Sequence, residues 1–580
     1  MQLRAYALGA GTRALVLALL LVSAAGPGCG RVSYGAPDAF ALEDARSSED
    51  AAVDARGDDA ATALDAAADA LAVDAAATHE VLAVEGLASA TCAPTDFVVR
   101  GAGLEAGVQV FVVDAAGTRF DADVSITSAA ELAARAVLAG AALGACQVHV
   151  RWLDGTDRSV TSTLTSSPYA GAHYVDRDVA ATGDGSRASP WSTIAEGVAA
   201  ASDGAAVLVD GSPDAYDPFT LGSGVSVVGC PWSTAARPIV QWSERHALAL
   251  SADGASVQGL DFVVSIHAST MGIEVSGGSR FAFLDCGVSA EVSGADVSVL
   301  AIDGTAGVEI ADAWLHDIHH TGTTGTRQLA ALRATNVQGI EIHHSELSGI
   351  GFSATGGGGV ADLTAIVVQG NPQDVRLHHL LVHDLFVRSD GENHLGGILL
   401  SSVNNPTFTG VFELYALTID DLRHADAASS VVTAGHVSGL YCGSCGGVRT
   451  WRDNIAAHFM GTDEPMTPGV SSYYGFWVDG IVTPAPSPQP MATSLVFDVG
   501  VPLPSGANAS GWASGFVNQV SAGPGSIQNA DAVDPLFDLG SGARYYHPTA
   551  AAIATGASDG GEMGAFGSGP SWTPPSQRSR

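Results

Sequence analysis

A repeated spacing of apolar residues between Val225 and Ile455 limits the folds available to this chain more than any other feature. Within each repeat, an apolar residue is followed by others two, seven and usually ten positions later. A spacing of two is that of a β-strand, and the longer offset places a short bend between two strands. The pattern is found at Val225/Val227, Val257/Val264, Phe281/Phe283/Val288, Val308/Ile310/Leu315/Ile318, Ile340/Ile342/Leu347/Ile350, Val375/Leu377/Val382/Leu385, Phe412/Leu414/Ile419/Leu422 and Val448/Ile455.

Repeats of this length predict stacked coils, each of which buries its apolar face against the next. We therefore predict an all-β chain built mainly of a right-handed parallel β-helix with about nine to ten coils. The repeats lengthen along the chain, from 24 residues between Val257 and Phe281 to 37 between Val375 and Phe412. Because the spacing inside each coil is kept, the added residues predict loops after the tenth position, which would form a wall beside a groove.

The charge of the chain excludes two classes of partner. Its 580 residues carry a formal net charge of −36. An acidic surface repels the phosphates of nucleic acids and is not attracted to anionic lipid. We expect no nucleic acid partner, and any membrane attachment must come from something other than surface charge.

The N-terminus has the features of an export signal. Two arginines precede an apolar run at 14–22, and small residues follow. This run is too short to span a bilayer. The ending Gly-Pro-Gly-Cys resembles a bacterial lipoprotein signal, so residues 1–29 would be the signal and Cys29 the lipidated residue. That resemblance implies an outer-membrane or cell-surface protein. Cleavage after Ala24 or Ala25 would instead give a secreted or periplasmic one.

The next two regions differ sharply in composition. Residues 30–79 are an Ala/Asp-rich tract with few large apolar residues, which predicts a disordered linker. Residues 80–167 contain short strand patterns separated by Gly-rich turns, which predict a small β-sandwich. The motifs Val-Arg-Gly-Ala-Gly-Leu at 99–104 and Gly-Ala-Cys-Gln-Val-His-Val at 144–150 resemble immunoglobulin-like domains of the transcription-factor/plexin type. Domains of this type imply a spacer role here.

Both ends of the predicted β-helix carry motifs of known relatives. The segment Gly-Asp-Gly-Ser followed by Pro-Trp-Ser-Thr-Ile resembles the start of bacterial β-helix proteins of the pectate-lyase-like superfamily. There a short helix, here about 192–201, caps the first coil. Asp-Pro-Leu-Phe at 534–537 and Gly-Glu-Met-Gly-Ala-Phe at 561–566 resemble the closing segment of the same group. The resemblance covers 172–567, and we expect residues 568–580 to be a disordered tail.

Seven cysteines are present, which leaves six if Cys29 is lipidated. An even number suits an oxidising compartment. We predict that Cys92 pairs with Cys146 across the small domain, and that Cys442 pairs locally with Cys445. Cys230 and Cys286 occupy the same position in coils separated by one other. Two coil spacings of about 4.8 Å exceed the roughly 7 Å reach of a disulfide, so both should be buried free thiols.

Polar residues recur at the predicted bend, four positions after the start of each coil. Carboxylates and imidazoles are metal ligands and acid–base groups. Short polar side chains also stabilise stacked turns, and we favour that interpretation. The residues are Asp261, Asp285, Asp312, His344 and His379, with His343 and His378 directly before two of them.

A second group of titratable residues follows, eight and nine positions into the coil and in the loops beyond. Clustered carboxylates shift one another's pKa, as general acid–base catalysis requires, but a solvated acidic edge would have the same composition. Both interpretations stay open. The predicted groove residues are His383, Asp384, Arg388, Asp390, Glu392, His394, His424 and Asp426.

The Asp420-Asp421 pair followed by Gly435-His436 resembles the Asp pair and Gly-His motif of polygalacturonase-type glycosidases, which share the fold. That resemblance implies catalytic roles for Asp420, Asp421 and His436. The Asn-Thr-Asp and Arg-Ile-Lys motifs of those enzymes are absent from the sequence.

Two functions therefore remain. The first is a monomeric cell-surface or envelope lipoprotein whose β-helix binds or scaffolds extracellular polysaccharide. The alternative is a polysaccharide hydrolase or lyase that uses the acidic groove, with calcium as a possible cofactor. Trp314, Trp451 and Trp477 are candidate platforms for sugar rings.

Overall fold

The apolar repeat folds into three parallel sheets that wrap around one core, which confirms the all-β class and the parallel β-helix. The computed structural model describes residues 79–577 with internal gaps. The gaps of four or more residues are 88–91, 244–247, 323–326, 355–360, 403–411, 427–434, 444–447, 460–470, 480–488, 500–512, 527–533, 538–545 and 567–571. The signal and the Ala/Asp-rich linker lie outside the described residues. No described helix is long and apolar enough to cross a membrane.

The first sheet contains the first strand of each coil. Three long strands run through a bend from the first sheet into the second, and these are Gln338–Ala354, Gln373–Ser389 and Phe412–Asp420. The other strands of the first sheet are His173–Val175, Ala206–Val209, Ser226–Gly229, Ser256–Gln258, Ser279–Leu284, Ala306–Ala311 and Val448–Arg452.

The second and third sheets complete each coil. The remaining strands of the second sheet are Ile239–Ser243, Asp261–Ile266, Gly287–Val292, Trp314–Gly322, Leu422–Asp426, Ile455–Phe459 and Leu495–Val499. The nine strands of the third sheet are Leu248–Ser251, Met271–Ser276, Asp296–Asp303, Arg327–Thr335, Ala361–Gly370, Asn393–Ser402, Gly435–Gly443, Ser471–Asp479 and Ala513–Asn518. A separate pair joins Gln489–Met491 to Val520–Ala522.

Equivalent apolar residues of successive coils stack directly on one another inside the helix. Val227 pairs with Val257, Val257 with Phe283, and Phe283 with Ile310. All four side chains are fully buried. Each such side chain contributes about 1.5–3 kcal/mol by leaving water, and the sum over many coils stabilises the stack.

The strand register corrects the predicted starting residue of one coil. Val257 pairs with Phe283 rather than with Phe281, so this coil begins at Ala255. Ala255 is buried, but its side chain is too small to mark a coil start in an apolar pattern. The corner residue of this coil is consequently Gly259, and Asp261 lies beyond the corner, in the second sheet.

From the coil of Val257 to the coil of Val448, one residue with positive φ turns the chain from the first sheet into the second. L-residues pay an energetic penalty in this left-handed region, and Gly, Asn, Asp and His tolerate it best. The polar ladder at the bend therefore has a backbone explanation. The corner residues and their φ angles are Gly259 (68°), Asp285 (49°), Asp312 (54°), His344 (48°), His379 (51°), Ala416 (53°) and Asp453 (59°).

The second polar ladder has the same cause. A further residue of positive φ kinks the strand of the second sheet five positions after the corner. These residues are Asp317 (49°), Gly349 (62°), Asp384 (54°), Asp421 (51°) and His458 (51°). The strands nevertheless continue past the kink, and Trp314–Gly322 and Gln338–Ala354 extend into regions predicted as loops.

The N-terminal module is a seven-stranded antiparallel sheet with its own apolar core, and Val99, Val112 and Phe120 are fully buried in it. The predicted strands are all present, whereas the immunoglobulin-like assignment stays a prediction. In chain order the strands are Glu80–Glu85, Thr95–Ala102, Gln109–Val113, Arg119–Ser128, Glu131–Ala136, Gly144–Arg151 and Asp157–Leu164.

A disulfide joins this module to the β-helix, and two cysteine predictions are therefore wrong. Cys92 pairs with Cys230, with the Cα atoms 5.0 Å apart, and not with Cys146. Cys146 is a buried free thiol in the core of the N-terminal module. Cys286 is a buried free thiol, as predicted, and burial raises its pKa to about 12. Cys442 is disulfide-bonded, but its predicted partner Cys445 lies outside the described residues, so that pairing stays a prediction.

The interface around that disulfide explains the pairing. Cys230 faces outward from the first sheet and packs with Tyr174 and Ala139, which places it against the N-terminal module. The Tyr174 hydroxyl donates a hydrogen bond to the carbonyl of Ala139 (3.1 Å). The Arg187 guanidinium lies 4.4 Å from the ring centre of Phe120, in the other module. Cys92 and Cys230 are brought together by this packing, although 138 residues separate them.

Both ends of the coil stack are covered. The helix Ile194–Ala200 begins at Thr193, whose side chain accepts a hydrogen bond from the backbone N–H of Glu196, and the Glu196 carboxylate accepts one from the N–H of Thr193. This capping box stabilises the helix start. The helix lies close to the first coil, because a Cβ added at Gly197 would lie 2.7 Å from a methyl of Val207.

The described residues between 534 and 577, termed here the C-terminal segment, pack on the later coils. They include the short helix Ala551–Ala554 and the 3₁₀ turn Pro575–Gln577. The backbone N–H of Ala565 donates to Oγ1 of Thr418 (2.8 Å), and that of Ser576 donates to Oε2 of Glu346 (2.9 Å). The predicted disorder of 568–580 is therefore wrong for 572–577, where Trp572 is buried.

Replacing Ala416 by glycine should raise the free energy of unfolding by up to about 1 kcal/mol. Ala416 has a φ of 53°, which costs an L-residue about 1–2 kcal/mol but suits glycine. The matched control is Ala457→Gly, at a buried strand position, which should lower stability by about 0.5–1 kcal/mol. Urea unfolding of both variants measures the difference, and an equal loss in both would contradict the corner argument.

Candidate third-sheet groove

The outer face of the third sheet contains a groove that crosses several coils. Its cavity has a volume of about 440 Å³. Three columns of outward-facing residues form it, and each column runs along the coil stack with one residue per strand. Neighbouring residues in a column are therefore about 4.8 Å apart.

The polar side of the groove is the column Gln328, Asp362, His394 and His436, which the strand register aligns. The Gln328 amide donates to Oδ2 of Asp362 (3.3 Å), and Nε2 of His394 lies 4.0 Å from Oδ1 of Asp362. The rings of His394 and His436 have their centres 5.2 Å apart. This side offers a row of hydrogen-bonding groups to a ligand.

The opposite side of the groove is apolar and aromatic. Its column is Val367, Leu399, Tyr441 and Trp477. The Tyr441 and Trp477 ring centres are 4.4 Å apart, and Tyr474 lies 4.7 Å from Trp477. The indole N–H of Trp477 is buried and has no hydrogen-bond acceptor among the described residues. The aromatic faces can therefore pack on a ligand while this N–H donates a hydrogen bond to an acceptor on that ligand.

Small residues form the floor between the two sides. Thr364, Gly396 and Ser438 follow one another in the third column. A Cβ added at Gly396 would lie 3.2 Å from Oγ1 of Thr364, so a larger side chain would fill the space. Arg333 closes one end, where burial lowers its guanidinium pKa from the ordinary value.

A second concentration of titratable residues lies on the second sheet, under the C-terminal segment. This second-sheet cluster contains Glu346, His383, Asp384, Asp420 and Asp421. His383 is almost fully buried and bridges two carboxylates, with Nε2 3.0 Å from Oε1 of Glu346 and Nδ1 2.8 Å from Oδ2 of Asp384. Glu346 is fully buried, and the Tyr546 ring covers His383 at 4.5 Å between ring centres.

Contacts inside the cluster shift three pKa values. Burial opposes the charge on His383, but hydrogen bonds to Asp384 and Glu346 outweigh it and raise the pKa to about 9. Asp384 and Asp421 are hydrogen-bonded to each other. Burial together with Asp384 raises the pKa of Asp421 to about 6, whereas the His383 hydrogen bond lowers that of Asp384 to about 2. The two carboxyl groups therefore share one proton in weakly acidic solution.

The structure does not bring the predicted catalytic residues together. Asp420 and Asp421 belong to the second-sheet region, whereas His436 lies in the third-sheet groove. Asp420 is buried, and its Oδ1 lies 2.7 Å from Nδ1 of His458. Asp421 and Asp384 are in hydrogen-bond contact, which is closer than the 5–9 Å separation that glycoside hydrolysis uses.

The predicted groove residues are divided between two faces. His383 and Asp384 lie in the second-sheet cluster, and His394 lies in the third-sheet groove. The remaining predictions concern the side chains of Arg388, His424 and Asp426 and the whole of Asp390 and Glu392, all of which lie outside the described residues.

One of the three candidate tryptophan platforms lies in the groove, namely Trp477. Trp314 lies on the second sheet, where it donates to Oγ of Ser348 (3.1 Å) and stacks on His316. Trp451 packs in the helix core. Two of the three candidate tryptophans therefore pack within the protein rather than line the groove.

Sequence reasoning missed most of the residues that line the groove. It assigned positions only to the first two strands of each coil, so the register of the third strand stayed unknown. A signal was present, because Gln328, Asp362, His394 and His436 are separated by 34, 32 and 42 residues, which are coil-like lengths. The sheet pairing shows that Tyr441 aligns with Trp477, and Tyr474 with Ser438.

Among the described residues, no three His, Cys, Asp or Glu side chains are placed to hold a metal ion together. Calcium as a possible cofactor therefore stays a prediction.

Comparison with known proteins gives two structural likenesses of low score. No protein-family model matches the sequence, and no curated protein matches it. A family 28 exopolygalacturonase of Yersinia enterocolitica is 8% identical, with 78% of this chain and 98% of that chain covered and a TM-score of 0.22. The catalytic domain of a GH87 alpha-1,3-glucanase is 9% identical, with 68% and 89% covered and a TM-score of 0.14. Neither likeness carries an argument about activity.

The stability of the protein should fall as the pH rises from 6.5 through about 9. The folded state holds the proton of His383 with a pKa of about 9, against an unfolded value of about 6.5. This difference in pKa adds about 3 kcal/mol to the free energy of unfolding. The full amount is present below pH 6.5, and it is lost as the pH rises above the folded pKa. Urea unfolding across this range measures it.

Two variants isolate the His383 contribution. His383→Gln should flatten the pH dependence, because the neutral amide does not titrate. His267→Gln, at an exposed histidine bonded to Ser293, should keep the wild-type slope. Parallel slopes in wild type and His383→Gln would contradict the assignment.

Proposed function

We propose that the protein binds an extended polysaccharide strand along the third-sheet groove without cleaving it. The observation that carries the proposal is the pairing of a hydrogen-bonding column (Asp362, His394, His436) with an aromatic column (Tyr441, Trp477) across a floor of small residues. Sugar rings have an apolar face and a polar edge. The aromatic column can pack on the apolar face, and the hydrogen-bonding column can bind the hydroxyl groups at the polar edge.

The direction of the groove supports a chain-like ligand. Each column repeats with every coil, so equivalent groups recur about every 4.8 Å along the stack. A polymer with a repeating unit can meet successive strands in the same way. Pockets for small ligands are more enclosed and combine a mainly apolar lining with a few polar groups.

The arrangement of carboxylates favours binding over hydrolysis. Among the described residues that line the groove, Asp362 is the one carboxylate. Hydrolysis of a glycosidic bond normally uses two carboxyl groups about 5–9 Å apart. The hydrogen-bonded pair Asp384 and Asp421 lies on another face and is too close for that geometry.

We infer the setting of this activity from the N-terminus. A lipid on Cys29 and the Ala/Asp-rich tract at 30–79 would hold the β-helix away from the membrane at the outer membrane or cell surface. The acidic surface favours a soluble monomer. On this proposal, the N-terminal module separates the linker from the polysaccharide-binding coils.

Trp477→Ala should weaken binding of the full-length protein to its polysaccharide by about tenfold or more, because truncating a central aromatic contact costs on the order of 1–2 kcal/mol. Titration calorimetry against a panel of neutral and acidic polysaccharides gives the affinities. Trp314→Ala is the matched control, since this tryptophan lies on the second sheet, and it should bind as wild type does.

The same panel, with and without calcium, distinguishes binding from catalysis. We expect no new reducing ends and no unsaturated products. Release of reducing ends that is lost in Asp421→Asn would replace the proposal with a hydrolase that uses the second-sheet cluster. Equal affinities of wild type and Trp477→Ala would remove the ligand from this groove.

A further inference from the structure

Four histidines form a two-by-two array at the first corner of two neighbouring coils. His343 and His344 belong to one coil, and His378 and His379 belong to the next, with His343 in register with His378. Rings of equivalent residues stack across the coils with nearly parallel planes, at 5.1 Å for His343 and His378 and 4.8 Å for His344 and His379.

Within each coil, the Nδ1 atoms of the two neighbouring imidazoles are in hydrogen-bond contact. Nδ1 of His343 lies 2.8 Å from Nδ1 of His344, and Nδ1 of His378 lies 2.9 Å from Nδ1 of His379. Consecutive side chains of a regular strand point to opposite faces. The positive φ of His344 and His379 breaks that alternation and turns each pair toward a common centre.

Carboxylates on the preceding coils fix the ring orientation of the first histidine in each pair. Nε2 of His343 lies 3.4 Å from Oε1 of Glu309, and Nε2 of His378 lies 3.0 Å from Oε1 of Glu341. A carboxylate accepts the Nε2–H proton, which leaves the lone pair on Nδ1 and directs it to the neighbouring histidine. Carboxylate–histidine pairs of this kind orient metal-ligating imidazoles in proteins.

The Nδ1 separation fits one class of metal ion. Imidazole nitrogens bind divalent metals at about 2.0–2.1 Å. Two such bonds at a right angle place the nitrogens about 2.9 Å apart, whereas a tetrahedral angle requires about 3.3 Å. The observed 2.8 and 2.9 Å agree with the right angle. Square-planar or tetragonal coordination by nitrogen and oxygen is that of Cu²⁺ and Ni²⁺.

We propose that the histidine array binds Cu²⁺, or Ni²⁺ more weakly, through the Nδ1 atoms of one His-His pair. The ion takes the place of the proton shared by the two nitrogens. No three potential ligands are grouped among the described residues, so water molecules occupy the remaining coordination positions. Two doubly charged ions on adjacent pairs would lie one coil apart and repel, so the array takes up one ion tightly.

The array is reachable from solvent and distinct from the sites described above. The side chain of His343 is 19% exposed and that of His378 is 10% exposed. Tyr415 of the next coil stacks on His378 at 4.8 Å and ends the array on that side. The array belongs to the first corner, whereas the polysaccharide groove lies on the third sheet. Metal binding and polysaccharide binding can therefore be tested separately.

The test is Cu²⁺ titration of the full-length protein, purified without a histidine tag, by calorimetry and electron paramagnetic resonance. Wild type should bind one Cu²⁺ with a tetragonal spectrum that shows coupling to imidazole nitrogen. His343→Asn/His378→Asn removes one ligand from each pair and should weaken binding at least tenfold. Ni²⁺ should bind less tightly than Cu²⁺.

A matched control is His394→Asn/His436→Asn. These histidines also stack on neighbouring coils, but each coil supplies a single imidazole, so wild-type affinity is expected. Glu309→Gln/Glu341→Gln keeps all four imidazoles and should weaken binding by about 10- to 100-fold through loss of ring orientation.

Either of two results would overturn the proposal. The first is equal Cu²⁺ affinity in wild type and His343→Asn/His378→Asn. The second is a wild-type spectrum without coupling to nitrogen, which decides the question even if the double variant does not fold.

Discussion

From the coil of Val257 to the coil of Val448, a single residue in the left-handed backbone region turns the chain from the first sheet into the second, and the stacking of these coils depends on it. The corner must take the same path in every coil, because otherwise the strands on either side would lose their register. Gly259, Asp312 and Ala416 all adopt this conformation despite their different side chains. Aligned corners then allow Val257, Phe283 and Ile310 to stack in the core.

This backbone constraint explains residues that look functional in the sequence. Asp and His tolerate positive φ better than most residues, so a ladder of Asp and His at the corners is what stacked turns require. The same residues still have chemical consequences. At His344 and His379 the turn directs two neighbouring imidazoles to one centre, and at Asp384 and Asp421 it brings two carboxyl groups together under the C-terminal segment.

The two polar regions differ in what surrounds them. The second-sheet cluster is covered by the C-terminal segment, and the pairs that Glu346 forms with His383 and Ser576 satisfy its buried charge. The third-sheet groove remains open, and aromatic rings face its polar column. A ligand can reach the third-sheet groove more readily than the covered second-sheet cluster, and for this reason the proposed function is placed in the groove.

The sequence by itself determined the coils and the corner ladders, because both depend on local spacing of apolar residues or on local backbone preference. The capping helix and the closing segment were predicted from a resemblance to known β-helix proteins. One coil start was misplaced, because Ala255 is too small to mark it. The tertiary structure decided which distant residues meet. It paired Cys92 with Cys230 rather than Cys146, separated Asp421 from His436, and aligned Tyr441 with Trp477. These contacts depend on the register of the third strand and on packing between modules. Neither can be read from the sequence, because the loops before the third strand vary in length.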